Sequence, residues 1–225
     1  LDIAGREHLL APARQPGRCR VSVNIGRSLA KAEFRQDRGV DQVKAAFLDR
    51  DGVINLDTGY VHRWDEFVFA PGAIAAMRDL QTAGFMLIVV TNQAGIARGY
   101  YSTQQFETLT AQMLGHLESE GVRITAVYHC PHHPAGSVPA LSIDCDCRKP
   151  APGMLLAAAR EHGLSLANSI LIGDKPSDIG AAQAAGVGRA YMVESDNIDS
   201  VSTGVTSDGV FASLPACIDH ILGRA

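Results

Sequence analysis

The 225-residue chain lacks any strong excess of charge: 20 Lys/Arg stand against 24 Asp/Glu, a net charge of -4. That balance excludes a strongly basic nucleic-acid binder, and no nucleic-acid partner is expected. No apolar run reaches the length of a bilayer span, so no membrane association is expected. Near the start, Arg6 and Glu7 stand where a secretory signal would carry an apolar stretch, so no signal peptide is read. Only 20% of residues are charged and 46% are hydrophobic, which excludes disorder as a description of the whole chain. No Met precedes Met77 and the first residue is Leu1; a missing or non-standard start, or a longer parent chain, would each account for this. Cysteine is scarce, five in all, in a chain too large to need disulfides for stability. Cys130, Cys145 and Cys147 lie close in sequence. A metal in a reducing compartment explains that grouping better than a disulfide framework, and a cytoplasmic, monomeric protein is expected.

Charge divides the chain. Residues 1–44 hold nine Lys/Arg and five Asp/Glu, whereas 45–225 hold eleven and nineteen. The first segment, with its Pro-, Gly- and Arg-containing "LLAPARQPGRCR", reads as loop, with a short helix over 28–44. It is expected to be an extension of unknown role ahead of one domain over 45–225.

From residue 43 a regular alternation begins. "VKAAFLD" (43–49), "FMLIVVTN" (85–92), "ITAVYHC" (124–130), "SILIGD" (169–174) and "RAYMV" (189–193) are short apolar runs of the kind that parallel strands covered on both faces show. Between them, Ile74, Met77 and Leu80 share one helical face, and Phe106, Leu109, Met113, Leu114 and Leu117 share another. Ser102 and Gln105 make a capping box ahead of the second helix. Residues 152–163 and 178–186 are further helices, and "GVFAS" and "LPACIDHIL" close the chain as strand and helix. Residues 131–149 and 194–208 read as loop. The pattern predicts an α/β fold with a doubly wound parallel sheet, whose ligands sit beyond the carboxyl ends of the strands.

Four strand ends carry candidate chemistry. "FLDRDG" puts Asp49 and Asp51 two apart; a Mg²⁺ ion would relieve their repulsion, and an ordinary Asp-Gly turn is the competing reading. "VVTNQ" offers Thr91, Asn92 and Gln93 to a phosphate. "CRKP" offers Arg148 and Lys149 as anion partners. "IGDKPSD" offers Asp174 as a further Mg²⁺ ligand, Lys175, and Asp178 as a supporting acid or helix cap. Separately, Cys130, His132, Cys145 and Cys147 make the ligand set of a closed Cys3His zinc site. His129 and His133 are alternative ligands, and a Cys130–Cys145 disulfide or free thiols remain the other readings. His62, His116, His162 and His220 are expected at surface or helix-face positions. Cys217 reads as core, and Cys19 has no assigned role.

From residue 45 to roughly 193 this ordered set resembles the haloacid dehalogenase superfamily of phosphotransferases. "FLDRDGVIN", "TNQAGIARG", "CDCRKPAPGM" and "IGDKPSDI" resemble its D-glycero-D-manno-heptose 1,7-bisphosphate phosphatase family; the related histidinol-phosphate phosphatases share most of this, including the metal loop. The resemblance implies an α/β Rossmannoid fold without a large cap domain and with a zinc-binding loop. It implies a sugar bisphosphate substrate in ADP- or GDP-heptose synthesis, with histidinol phosphate as the alternative and a non-catalytic binding module as the third reading. It implies Asp49 as nucleophile, Asp51 as general acid and base, and Thr91 and Lys149 as stabilisers of the transferring group. Mg²⁺ would sit on Asp49, Asp51 (by its carbonyl) and Asp174, and structural Zn²⁺ on Cys130, His132, Cys145 and Cys147. Asp57, Thr58, Gly59, Tyr60, Asn92, Gln93, Arg148 and Lys175 would contact substrate.

Overall fold

The computed structural model describes residues 43–195 and 206–224. Cys19, and all but the last two residues of the helix expected over 28–44, lie outside them. Val43 and Lys44 are not helical.

Six strands form one parallel sheet: β1 (Ala45–Leu48), β2 (Met86–Asn92), β3 (Ile124–Cys130), β4 (Ile170–Gly173), β5 (Arg189–Val193) and β6 (Gly209–Phe211). Their spatial order is β3-β2-β1-β4-β5-β6. Successive residues of a strand point to opposite faces, and both faces here are covered. On β1, Ala46 and Leu48 enter one apolar cluster while Ala45 and Phe47 enter the other. On β2, Leu87 and Val89 part from Ile88 and Val90 in the same way. This is why these runs carry no polar alternation.

Helices α1 (Ala73–Thr82), α3 (Thr103–Ser119) and α6 (Leu214–Ile221) supply the first cluster; α4 (Gly153–His162) and α5 (Pro176–Ala185) supply the second. The expected capping box is formed: Gln105 N–H donates to Ser102 Oγ at 3.2 Å, and Ser102 N–H donates to Gln105 Oε1 at 2.8 Å. Cys217 is fully buried against the first cluster, as its helical position predicts. A four-residue helix, α2 (Ala94–Ala97), follows β2; it is too short to show a period in sequence. Two 3-10 turns, Trp64–Glu66 and Leu166–Asn168, are short for the same reason.

Between Asp51 and β2 the chain forms only a 3-10 turn and α1. No large cap domain stands over the sheet among the described residues. The chain winds from β1 through β2 to β3 on one side, then crosses to β4 on the other side of β1. The segments leaving β1 and β4 therefore diverge and open a crevice at their carboxyl ends.

The β4–α5 junction is tight because Gly173 has no side chain. A Cβ there would lie 2.3 Å from Asp178 Cβ. Gly173→Ala is expected to lower stability by about 1–3 kcal/mol through overpacking, read as a fall in the urea midpoint. An unchanged midpoint would mean the junction has slack.

Candidate active site and metal clusters

Asp49 is the first residue beyond β1, and its amide donates to Ile172 O at 3.0 Å, fixing it against β4. Its carboxylate is buried and meets Lys149 Nζ at 3.1 Å through Oδ1. Lys149 is also buried; its Nζ lies 2.5 Å from Asp178 Oδ1 and donates to Val90 O at 2.8 Å. Burial pushes the Asp49 carboxyl up to about 7, with Lys149 opposing and Asp178, Asp174 and Asp51 adding to the rise. Burial alone would lower the Lys149 pKa, but Asp178 and Asp49 outweigh it and hold the ammonium charged. Asp178 is the third residue of α5 and does not cap that helix as its N-cap. Its Oδ2 accepts from Lys175 N–H at 3.0 Å, while Oδ1 faces Lys149.

Asp51 has a different environment. Buried Arg50 donates through Nε and one terminal nitrogen, at 3.2 and 2.9 Å to each carboxylate oxygen, and also donates to Val61 O at 2.7 Å. Asn55 Nδ2 donates to Asp51 Oδ1 and Gln93 Nε2 to Oδ2, both at 3.1 Å. Gln93 also donates to Thr91 Oγ1 at 2.9 Å and accepts from the Tyr101 hydroxyl at 2.5 Å. Arg50, Asn55 and Tyr101 carry no motif signal of their own. Only the folded loop shows that they surround Asp51.

Asp49, Asp174 and Asp178 bring carboxylate oxygens within 4.8 Å of one another. Burial raises the Asp174 pKa, Lys175 opposing. Its Oδ1 is buried with no protein partner, a waiting ligand for a hard cation that takes oxygen donors. Gly52, at φ +84°, makes room: a Cβ there would lie 2.3 Å from Asp174 Oδ2. The donor set fits Mg²⁺.

These groups open on a cavity of about 660 Å³. Asp57, Gly59, Tyr60, Asn92, Gln93, Arg148 and Lys175 line it, and Thr58 does not. Lys175 Nζ pairs with Asp57 Oδ2 at 3.1 Å. Asn92 also exchanges two 3.1 Å hydrogen bonds with the Lys149 backbone, so its amide pins that segment. Arg98 and His133, neither expected in the cavity wall, face each other there at 3.3 Å. Tyr60 adopts φ +53°, a left-handed conformation that costs a non-glycine residue roughly 1–2 kcal/mol. His62 holds it: Nδ1 meets Tyr60 O at 2.8 Å, and the imidazole stacks on Tyr101 with centroids 4.9 Å apart. His62 is thus half-buried behind Tyr60 and Tyr101, outside the cavity wall itself.

Cys130, His132, Cys145 and Cys147 form a second cluster. Their sulfurs are 3.5 Å (Cys130–Cys145) and 3.4 Å (Cys145–Cys147) apart, and His132 Nδ1 is 3.8 and 3.6 Å from Cys130 and Cys147. A tetrahedral ion with Zn–S bonds of about 2.3 Å separates its sulfurs by about 3.8 Å, so the set fits zinc. Burial pushes the Cys130 thiol up to about 12, so its thiolate needs a cation. Cys130 and Cys145 are free, so the disulfide weighed between them is not formed. His129 and His133 stand apart from the cluster: His129 packs on Phe106 with centroids 4.3 Å apart, and His133 accepts from Ala135 N–H.

Paired aspartates after the first strand, a threonine on β2, a buried lysine and an aspartate after β4 define a haloacid-dehalogenase-like hydrolase. The HAD-hydrolase-like family model matches residues 146–222. The chain is 49% identical over 172 residues to the D-glycero-beta-D-manno-heptose-1,7-bisphosphate 7-phosphatase of Escherichia coli K12, covering 76% of this chain and 90% of that protein. It is 44% identical over 163 residues to a D-glycero-alpha-D-manno-heptose-1,7-bisphosphate 7-phosphatase of Photorhabdus laumondii, covering 72% and 89%. Among solved structures, a D,D-heptose 1,7-bisphosphate phosphatase from B. bronchiseptica, complexed with magnesium and phosphate, matches with a TM-score of 0.70 at 32% identity, covering 81% of this chain and all of that one. The chain belongs to the D-glycero-D-manno-heptose-1,7-bisphosphate 7-phosphatase family.

Lys149→Met would leave Asp49 and Asp178 buried without their cation. Breaking a buried pair costs roughly 3–5 kcal/mol, and urea unfolding of the metal-free protein is expected to show a loss of that order. A second change, Asp178→Asn, should restore part of it. No recovery in the double variant would mean that charge is not the cause.

Proposed function

We propose that this chain hydrolyses the 7-phosphate of D-glycero-D-manno-heptose 1,7-bisphosphate through an aspartyl-phosphate on Asp49. The observation that carries the reading is Asp49 itself, paired with Lys149 in a cavity that Arg148, Arg98 and Lys175 line beside Asp51 and Asp57. A carboxylate so placed meets an anionic phosphate only because these cations offset the repulsion. An Asp49 oxygen attacks phosphorus, and the bond from phosphorus to the C7 oxygen breaks. Asp51 gives its proton to that departing oxygen. In the second half, Asp51 takes a proton from the attacking water, the aspartyl-phosphate bond breaks, and Asp49 is regenerated. Lys149 stays charged and balances Asp49 throughout, and Thr91 donates to a phosphoryl oxygen. Arg98 and Arg148 meet the remaining phosphate, and the 57–60 loop with Lys175 shapes the sugar end.

Side chains of Asp49 and Asp174 and the Asp51 carbonyl would hold Mg²⁺, which when bound offsets carboxylate–phosphate repulsion and polarises the phosphoryl oxygens. The magnesium and phosphate of the B. bronchiseptica relative support that assignment. Zinc on the Cys3His cluster would be structural, because four protein ligands leave no position for water. Thiolate ligation suits a reducing, cytoplasmic setting.

Phosphate release from both anomers of the heptose bisphosphate and from histidinol phosphate tests the substrate, and kcat/KM is expected to be highest for a heptose anomer. Histidinol phosphate turned over faster would sink the sugar assignment. Asp49→Asn should lower release by at least about a thousandfold; unchanged release would remove the nucleophile. Elemental analysis of the reduced protein should find about one zinc per chain, lost in Cys145→Ser. Reduced protein without zinc would defeat the structural-zinc assignment.

A further inference from the structure

Thr91 needs its hydroxyl proton aimed at the phosphoryl group, yet a hydroxyl rotates freely and can donate or accept. The surroundings remove that freedom. Arg50 and Asn55 donate to the Asp51 carboxylate and hold it as an acceptor, so the Gln93 atom 3.1 Å from its Oδ2 is the amide nitrogen. That nitrogen has two hydrogens; the second points at Thr91 Oγ1, 2.9 Å away. Thr91 must therefore accept from Gln93, and its own proton is left for another partner. Among the described residues no protein acceptor takes that proton, and Thr91 lines the cavity. With the nitrogen so placed, the Gln93 oxygen faces the Tyr101 hydroxyl at 2.5 Å. Tyr101 is buried, burial raises its pKa, and so the phenol keeps its proton and donates.

We propose that Tyr101 is a positioning residue that acts through Gln93, locking the amide in the one orientation that presents the Thr91 hydroxyl as a donor to the transferring phosphoryl group and supplies Asp51 with a donor on the same side. The path runs from Tyr101 Oη–H to Gln93 Oε1, and from Gln93 Nε2 to Thr91 and Asp51. It makes Gln93 part of the hydrogen-bond ordering of the site, beyond its place in the cavity wall. The stacked His62 ring and the buried Tyr101 ring keep the phenol in place. Without the phenol proton, the Gln93 amide loses the partner that opposes its inversion. Inverted, it would set its oxygen against Asp51 and accept the Thr91 proton.

This inference rests on phosphoryl transfer at Asp49 and not on the identity of the sugar. A double-mutant cycle tests it, using Tyr101→Phe, Gln93→Met and the pair, with the metal-loaded full chain and both heptose bisphosphate and p-nitrophenyl phosphate as substrates. Failure of the wild type on the sugar but not on the nitrophenyl ester would overturn only the substrate, and the cycle is then read on the ester. Tyr101→Phe is expected to lower kcat by about tenfold, with KM within about twofold and the melting temperature nearly unchanged. Gln93→Met should cost at least as much, and the pair no more than Gln93→Met alone, because Tyr101 has nothing left to orient. Multiplying effects would mean that Tyr101 acts on substrate directly and would overturn the proposal, as would a Tyr101→Phe loss below about twofold. If Gln93→Met does not fold, Gln93→Glu replaces it. A carboxylate there must accept from Thr91 and repel Asp51, so its loss should exceed that of Tyr101→Phe, and a smaller loss overturns the proposal.

Discussion

Segments that leave the sheet at different strands converge on one buried ammonium. Lys149 Nζ touches Val90 O on β2, Asp49 beyond β1 and Asp178 on α5, which follows β4. Hydrophobic packing alone would not bring these charged groups together, although the apolar clusters reach past the strand ends through Val53, Ile54 and Val61 in one and Cys147 in the other. Two buried carboxylates without a cation would each carry a desolvation cost and repel one another. With Lys149 between them the three strand exits are drawn to a common point, and that point is where phosphate chemistry needs them. The charge that completes the fold is also the charge that lets a carboxylate approach a phosphate.

Lys149 in turn depends on the loop before it. The two hydrogen bonds of Asn92 clamp its backbone. Asp146 O accepts from Gly153 N–H at 2.8 Å, where a Cβ at Gly153 would come within 2.4 Å of that oxygen. Residues 131–149 have no regular structure apart from turns, so little apolar burial holds them. A metal on the Cys3His cluster would supply the missing constraint directly upstream of Arg148 and Lys149. Zinc in such a cluster would therefore set the geometry of anion binding from outside the cavity.

The sheet was legible because strands covered on both faces are apolar at every position, and such runs stand out. The candidate site at the strand ends was legible in part for the same reason: Asp49, Thr91 and Asp174 are polar residues that end or follow those runs, whereas Lys149 stands at the far end of the loop after β3. The members of the Cys3His cluster were readable from residue type, and the fold brings His132, and not His129 or His133, to the three sulfurs, a direction that spacing does not encode. Arg50 was not legible. It lies between two aspartates in a motif that explains the aspartates, and nothing in sequence says that its side chain folds back onto its neighbour. Tyr101 and His62 were invisible for a related reason: they are 39 residues apart in number, and only their stacking joins them. Arg98 sits at the end of α2, whose four residues leave no period to read.

Asp49 and Asp51 illustrate how one short loop produces two chemically different carboxylates. Asp49 is matched to a lysine that it shares with Asp178, and burial keeps its carboxyl high; a point charge on a flexible stem leaves the carboxylate oxygen room to move. Asp51 is matched to an arginine, whose planar fork grips both oxygens and fixes orientation as well as charge. A nucleophile must change partners during the reaction, whereas an acid that becomes a base must keep its place while its proton comes and goes. In the proposed reaction the loop would meet both demands by pairing Asp49 with a lysine from a distant segment and Asp51 with an arginine from the adjacent position. Exchanging the two cations would preserve net charge and lose the distinction, so the geometry of each pair, more than its charge, is what separates the two carboxylates.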